Sequence, residues 1–162
     1  MRPILLALLT SLTLLGAADP GTKKYQLRDF NLGNHLTGPR ATEGTLKGKP
    51  VAVVCLGTLS TNRSTWEAGW TPPFTELQKS HGTKVVIIGA AWGKGLGTKD
   101  YAEYAKKLKL EFAVVAGLGR TPFEVPRDGH CLIFNAEGKL IYTGQPNKGN
   151  DEFKAAIKAI TE

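Results

Sequence analysis

Two cysteines are the residues of this 162-residue chain best suited to covalent chemistry, because a thiolate attacks disulfides and binds metals. Cys55 lies inside the apolar run Val51–Leu56, and Cys131 opens the apolar run Cys131–Phe134. A reactive cysteine needs an exposed, electropositive setting that lowers its pKa. We therefore expect two buried thiols that pack as small hydrophobic residues. A relocated redox pair or a structural disulfide is the alternative interpretation.

The histidines and one glycine-rich segment do not form a recognisable site. His35, His81 and His130 are scattered without metal-ligand spacing, so we expect no metal, and no pattern indicates a cofactor. His130 adjoins Cys131, but neighbouring strand residues point to opposite faces, which makes it a poor activating base. Gly93–Lys99 does not fit the phosphate-loop pattern G-x-x-x-x-G-K-[ST], and we interpret it as a strand–helix loop.

The elements that must position these residues alternate between strand and helix patterns, which indicates an α/β fold with a parallel core. A closing hairpin around Asn135–Gly138 adds antiparallel edge strands. The predicted strands are Tyr25–Leu32, Val51–Leu56, Val85–Gly89, Cys131–Phe134 and Lys139–Thr143; Phe112–Val115 is either a short strand or an extended segment, and Gly33–Gly44 is predicted as a loop. The predicted helices are Ser64–Lys79 with a break at Pro72-Pro73, one that starts at Asp100 and buries Tyr101, Tyr104, Ala105 and Leu108, and one that starts at Asn150 and buries Phe153, Ile157 and Ile160.

The N-terminus has the pattern of a secretory signal peptide. Arg2 gives a basic start, Ile4–Leu15 is mostly apolar, and Gly16-Ala17-Ala18 supplies small residues for cleavage. The sequence therefore predicts a signal peptide over 1–18, a mature domain over 19–162 and a periplasmic or secreted location. The apolar run is too short for a permanent membrane span.

The net charge of +7 falls to +6 on cleavage, because residues 1–18 contain Arg2 and no acid. The lysines are dispersed, so a solvated surface is expected, with a weak preference for anionic surfaces and no nucleic-acid partner. A hydrophobic content of 41% suffices for a conventional core. We expect a monomer.

Four motifs carry a family resemblance across roughly the whole mature chain. Asp29–Leu32 resembles "D-F-x-L", Leu46–Val51 resembles "L-x-G-K-P-V", Leu56–Ser60 resembles "L-G-T-x-C", and Leu132–Lys139 resembles "F-L-I-D-x-x-G-K". Together they resemble the exported redoxin branch of the thioredoxin-like superfamily, beside the alkyl-hydroperoxide-reductase/thiol-specific-antioxidant relatives. The resemblance implies a thioredoxin-like α/β fold: a central mixed sheet flanked by helices, with a C-terminal β-hairpin and helix.

The chain departs from this family at the Cys-x-x-Cys pair. Ser60 and Arg63 occupy the two cysteine positions in the alignment that we prefer, because a full helix then fits before the next strand. In a second alignment Trp70–Phe74 resembles "W-C-P-P-C", with Thr71 and Phe74 in place of the cysteines. Neither alignment retains a cysteine, and thiol–disulfide exchange requires one.

Two further positions of the resembled thiol machinery differ. Gly129 aligns with the cis-proline that shapes the family's substrate groove, whereas Pro126 lies three residues early. Val54 aligns with an acid that thioredoxins often bury before the first cysteine. The resemblance also places Cys55 and Cys131 on neighbouring antiparallel strands, where the two thiols could be close.

These departures predict an exported thioredoxin-fold protein that has lost its redox pair and serves as a non-catalytic binding or scaffold module. Trp66 and Trp70 lie one helical turn apart beside Arg63, either as core or lid or as a binding face for a protein or small molecule. The alternative is a thiol-disulfide oxidoreductase or peroxiredoxin-like antioxidant that uses Cys55 or Cys131.

Overall fold

A six-stranded mixed sheet organises the molecule. The computed structural model describes residues 26–29, 31–57, 71–91, 98–117, 129–147 and 149–162. Within them the strands are β1 (His35–Thr37), β2 (Val51–Gly57), β3 (Val86–Ala91), β4 (Ala113–Val115), β5 (Cys131–Phe134) and β6 (Leu140–Gly144), in the spatial order β1-β4-β3-β2-β5-β6. The helices are α1 (Glu43–Leu46), α2 (Pro72–His81), α3 (Thr98–Lys107) and α4 (Asp151–Thr161).

The central strand β2 is buried on both faces. It pairs in parallel with β3 and antiparallel with β5, and β3 pairs in parallel with β4. Residues 51–56 are at most 1% exposed, which agrees with their continuous apolar run. The alternation of a strand sends Val53 to one face of the sheet and Val54 to the other, so two separate hydrophobic clusters form.

Different elements cover the two faces. The helical face, which carries Val54, packs against α2, α3 and α4. The opposite face, which carries Val53, packs against residues that precede β2; these are Leu27, Leu32, Ala41 and Leu46. Both covers are needed, because a parallel sheet is stable in water only when its two faces are shielded.

Most of the predicted elements are confirmed. β2, β3, β4 and the β5–β6 hairpin occur where their patterns predicted them, and α2 provides the described part of the helix predicted over Ser64–Lys79. The helix at Asn150 is confirmed: its Oδ1 accepts hydrogen bonds from the N–H groups of Glu152 and Phe153.

Three predictions were wrong. The strand predicted over Tyr25–Leu32 contains a 3-10 turn at Leu27–Asp29, because the Asp29 carboxylate accepts the Gln26 N–H and closes the chain locally. The loop predicted over Gly33–Gly44 contains β1, whose flanking Gly33 and Gly38 lie against the backbone of the segment around β4. The third is a helix boundary: α3 begins at Thr98 rather than at Asp100, which lies in its first turn.

Candidate functional site

The C-terminal edge of β2 is the part of the sheet where ligands of open α/β folds bind. The described residues at this edge are the end of β2 at Gly57, the start of α2 after Thr71, and the residues just before β5. The predicted site residues Ser60, Arg63, Trp66 and Trp70 lie outside the described residues. Their roles therefore stay predictions.

Gly129 forms a β-bulge at this edge. Its N–H donates to the carbonyl of Cys55 at 2.8 Å, and the N–H of Cys55 donates to the carbonyl of His130, also at 2.8 Å. Two residues thus oppose one across the β2–β5 ladder, and Gly129 has a φ of +86°. These are the features of a G1 bulge, in which the first residue is a left-handed glycine.

The bulge gives Gly129 a role that the sequence alignment did not contain. All described peptide bonds are trans, so the described chain turns into β5 here through a left-handed glycine. Bulges are frequent next to active sites, where they re-aim a side chain or end the pairing of strands. The signal available in the sequence was a glycine immediately before an apolar strand, which indicates a bulge or a turn.

Cys55 and Cys131 point to opposite faces of the sheet. Cys131 pairs with Val54 and shares its hydrophobic cluster on the helical face. Cys55 lies between Val54 and Leu56, both on that face, so its side chain points the other way. A disulfide requires the two Cβ vectors to converge, and these diverge. Both cysteines are buried and not disulfide-bonded, as expected, and the alternative of a structural disulfide between them is wrong.

Cys131 is poorly placed to ionise. Its side chain is fully buried, and it packs in the cluster that also contains Ile133 and Tyr142. Desolvation raises the pKa of the Cys131 thiol far above its ordinary value, and the nearby Cys55 raises it further. The thiolate is the nucleophilic form, so this cysteine is unreactive at neutral pH in the folded protein.

His35 lies far from Cys55 in the sheet. His35 pairs with Val115 in β1–β4, Val115 pairs with Ala90, and Ala90 pairs with Cys55. Three strand spacings therefore separate His35 from Cys55, which is about 14 Å. The Nδ1 atom of His35 is buried, and among the described residues it has no hydrogen-bond partner. Within the described residues, Cys, His, Asp and Glu form no group of three that could hold a metal.

Thr71 and Phe74, the residues of the second alignment, lie at the start of α2. Thr71 is the residue before the helix and is 5% exposed. Phe74 is fully buried, and its ring meets the ring of Phe153 edge-on at 6.3 Å between centroids. A side chain in this position supports the core and does not face solvent.

A groove of about 530 Å³ runs between α2 and α4. Its apolar surface comes from Pro73, Leu77, Phe153 and Ile157, and its margins carry charges of both signs, such as those of Glu76 and Lys154.

In the described residues no helix is long and apolar enough to cross a membrane.

Comparison with solved structures identifies the fold as thioredoxin-like. A thioredoxin-family thiol:disulfide interchange protein from Chlorobium tepidum superposes with a TM-score of 0.60 at 16% identity, over 90% of this chain and 100% of that chain. A thiol-disulfide isomerase from Corynebacterium glutamicum gives 0.58 at 12% identity, over 82% and 93% of the two chains. A secreted Mycobacterium tuberculosis disulfide oxidoreductase, homologous to Escherichia coli DsbE, gives 0.55 at 16%, over 82% and 97%.

The sequence comparisons add no family to this result. No protein-family model matches the chain, and no curated protein matches it. Identities this low show a shared fold, so the expected thioredoxin-like architecture is confirmed and its chemistry has to be argued from the residues themselves.

Proposed function

We propose that this protein is an exported, redox-inert member of the thioredoxin fold that binds a protein or small-molecule partner and does not exchange disulfides. One observation carries the proposal. The sequence contains two cysteines, and both are buried in strands with side chains on opposite faces of the sheet. No thiol at the described C-terminal edge of the sheet is available to attack a substrate disulfide.

The proposed binding surface is the edge beyond β2, where the preferred alignment places Ser60 and Arg63. Trp66 and Trp70 would add aromatic surface beside Arg63, and these residue types dominate binding hot spots. The bulge at Gly129 supports this placement, because bulges recur beside functional sites. Because the residues at this edge take part in no reaction, they can be specialised for binding a partner.

Export is part of the same proposal. It rests on the basic start, apolar run and small-residue end of residues 1–18, with 19–162 as the mature thioredoxin-like domain. The redoxin-branch motifs support a periplasmic or secreted location. Mass spectrometry of the secreted or periplasmic protein should show a chain that begins at Asp19, and an intact Met1 or Arg2 terminus in that fraction would contradict export with cleavage.

The proposal that the protein is redox-inert is tested by titrating its thiols and by assaying the reduction of insulin disulfides. Native protein should show almost no thiol that reacts with Ellman's reagent, and denatured protein should show both without prior reduction. Insulin reduction by dithiothreitol should proceed at the uncatalysed rate. A rate above this that Cys131→Ser abolishes would overturn the proposal in favour of a thiol oxidoreductase. Cys55→Ser, examined in parallel, assigns any activity to one thiol.

Restoring cysteines tests where the lost pair stood. Ser60→Cys with Arg63→Cys should form an internal disulfide that dithiothreitol reduces, because the family places its pair at a helix N-terminus that favours a thiolate. Thr71→Cys with Phe74→Cys is the matched control for the second alignment. We expect it to lose on the order of 3 kcal/mol of stability, because it empties the space that the buried Phe74 ring fills. If only the control pair closes, the first alignment is wrong.

A further inference from the structure

Among the described residues, most of the exposed positive charge lies at the N-terminal edge of the parallel strands. β2, β3 and β4 run in parallel, so Val51, Val86 and Ala113 begin their strands at one edge, and Phe134 ends β5 there opposite Val51. The backbone N–H of Leu27 donates to the carbonyl of Gly138, which brings the segment before β1 to the same edge. We name the exposed Lys and Arg side chains of segments 28–29, 40–49, 79–84, 106–111 and 137–139 the basic end.

The basic end has a large excess of cations. Its five segments contain ten Lys and Arg residues and four Asp and Glu residues, all exposed. Lysines at the last turns of α2 and α3 also offset the helix dipoles. Each dipole is equivalent to about half a negative charge, so two helices cancel about one of the six excess charges. A net excess of about five positive charges remains at this end.

The composition of the basic end suits an extended negative surface. Eight of its ten cations are lysines, which act as hydrated point charges and need no bidentate geometry. In the described residues, Ile141 is the one large hydrophobic side chain that is exposed, and it lies two residues from Lys139. The five segments contain no Phe, Tyr or Trp on which nucleobases could stack.

We propose that the basic end binds the anionic phospholipid headgroups of a membrane surface, with Ile141 at the margin of the contact. The binding free energies of several lysines near such a surface add up, because the negative surface potential attracts each lysine that lies within a Debye length of it. The C-terminal edge of β2 lies at the other end of the strand, so membrane contact leaves the proposed binding edge free. The proposal stands whether or not the protein is redox-inert.

Vesicle sedimentation of the mature chain, residues 19–162, tests this surface, because the apolar run Ile4–Leu15 of the predicted signal peptide would itself insert into vesicles. The chain should partition onto vesicles of phosphatidylglycerol in phosphatidylcholine much more strongly than onto phosphatidylcholine alone. Lys47→Gln with Lys84→Gln removes two charges of the basic end and should weaken partitioning about thirtyfold. Lys99→Gln with Lys154→Gln is the matched control, because it removes the same charge from exposed positions outside the basic end.

Three outcomes would overturn the proposal. Equal binding to both kinds of vesicle would show that apolar insertion drives association. Equal losses in the two double variants would show that net charge, and not the basic end, is responsible. Tighter binding to duplex DNA than to the anionic vesicles at the same ionic strength would assign the surface to another polyanion. Far-ultraviolet circular dichroism of each variant excludes unfolding as the cause of a loss.

Discussion

At the scale of single residues, the direction in which a side chain points separates Cys55 from Cys131 although their strands are neighbours. Cys131 lies in the cluster on the helical face, and the alternation along β2 turns Cys55 to the opposite face. The buried setting of Cys131 makes its ionisation costly, and this has a consequence for stability that can be measured.

Stability should fall at alkaline pH partly because of Cys131. Its pKa is raised in the folded state, whereas an unfolded thiol loses its proton above about pH 8.5. The contribution of this group is therefore fully present below that pH and is lost as the pH rises, with a slope of up to about 1.4 kcal/mol per pH unit. Denaturant unfolding at several pH values should give a shallower decline for Cys131→Ala. Identical slopes would contradict the prediction.

The left-handed backbone at Gly129 should tolerate few other residues. A Cβ atom at φ of +86° is strained, so Gly129→Ala should reduce the free energy of unfolding by about 1–2 kcal/mol. Gly129→Asn should cost less, because asparagine adopts this conformation more readily. Gly44→Ala, in α1, is the control and should be neutral or stabilising, because the added Cβ atom would lie 3.9 Å from the Thr42 hydroxyl, an ordinary contact distance. An equal loss in all three would contradict the assignment of the bulge.

At the scale of elements, the end of the chain is held by one side chain that links α4 to β6. Asn150 caps α4 through Oδ1, and its Nδ2 atom donates to the Tyr142 hydroxyl at 3.3 Å. The same hydroxyl donates to the carbonyl of Gln145 at 2.8 Å, and the Tyr142 ring packs on Phe153. The loop between β6 and α4 is therefore fixed at both ends by polar contacts over an aromatic contact.

Removal of this cap should destabilise the protein measurably. Asn150→Ala leaves the N–H groups of Glu152 and Phe153 without their acceptor and should cost about 1–2 kcal/mol. Asn150→Ser retains a capping oxygen and should therefore cost less stability than Asn150→Ala. Its remaining loss would come from the hydrogen bond to the Tyr142 hydroxyl. Thermal unfolding followed by circular dichroism gives both values. If serine proves as harmful as alanine, the capping bonds contribute little.

At the scale of the whole molecule, the described part of the sheet is covered on both faces, and most of its exposed positive charge lies at one edge. Val53 and Val54 are both fully buried, one under the residues that precede β2 and the other under the helices. The polarity of the helices adds to the asymmetry of charge, because acidic residues occupy the first turns of α3 and α4, and basic residues occupy the last turns.

The two faces should make comparable contributions to stability. Val53→Ala and Val54→Ala should each reduce the free energy of unfolding by about 1–3 kcal/mol, because each leaves a cavity under a closed cover. Ile141→Ala, at a side chain that is 37% exposed, should cost less than about 1 kcal/mol and is the control. A small loss for Val53→Ala alone would show that the cover before β2 is loose in solution.

The sequence alone determined the central strands, the closing hairpin and α4, because continuous or periodic apolar residues and local caps are local properties. It also determined that Cys55 and Cys131 are buried, since both lie in apolar runs. β1 escaped prediction because its three residues have no pattern of their own and pair only with the distant β4. Gly33 and Gly38, which flank β1, are required because the backbone around β4 leaves no space for a Cβ atom there. No local pattern in the sequence indicates this contact.

Only the tertiary structure decided which way the two thiols point and how Gly129 is used. Facing direction depends on the register of β2 against β5, and a shift of one residue reverses every side chain. The bulge exists because the carbonyl of Cys55 accepts from the N–H of Gly129, while the N–H of Cys55 donates to the carbonyl of His130. Such pairings join residues more than seventy positions apart, so composition and spacing along the chain do not specify them.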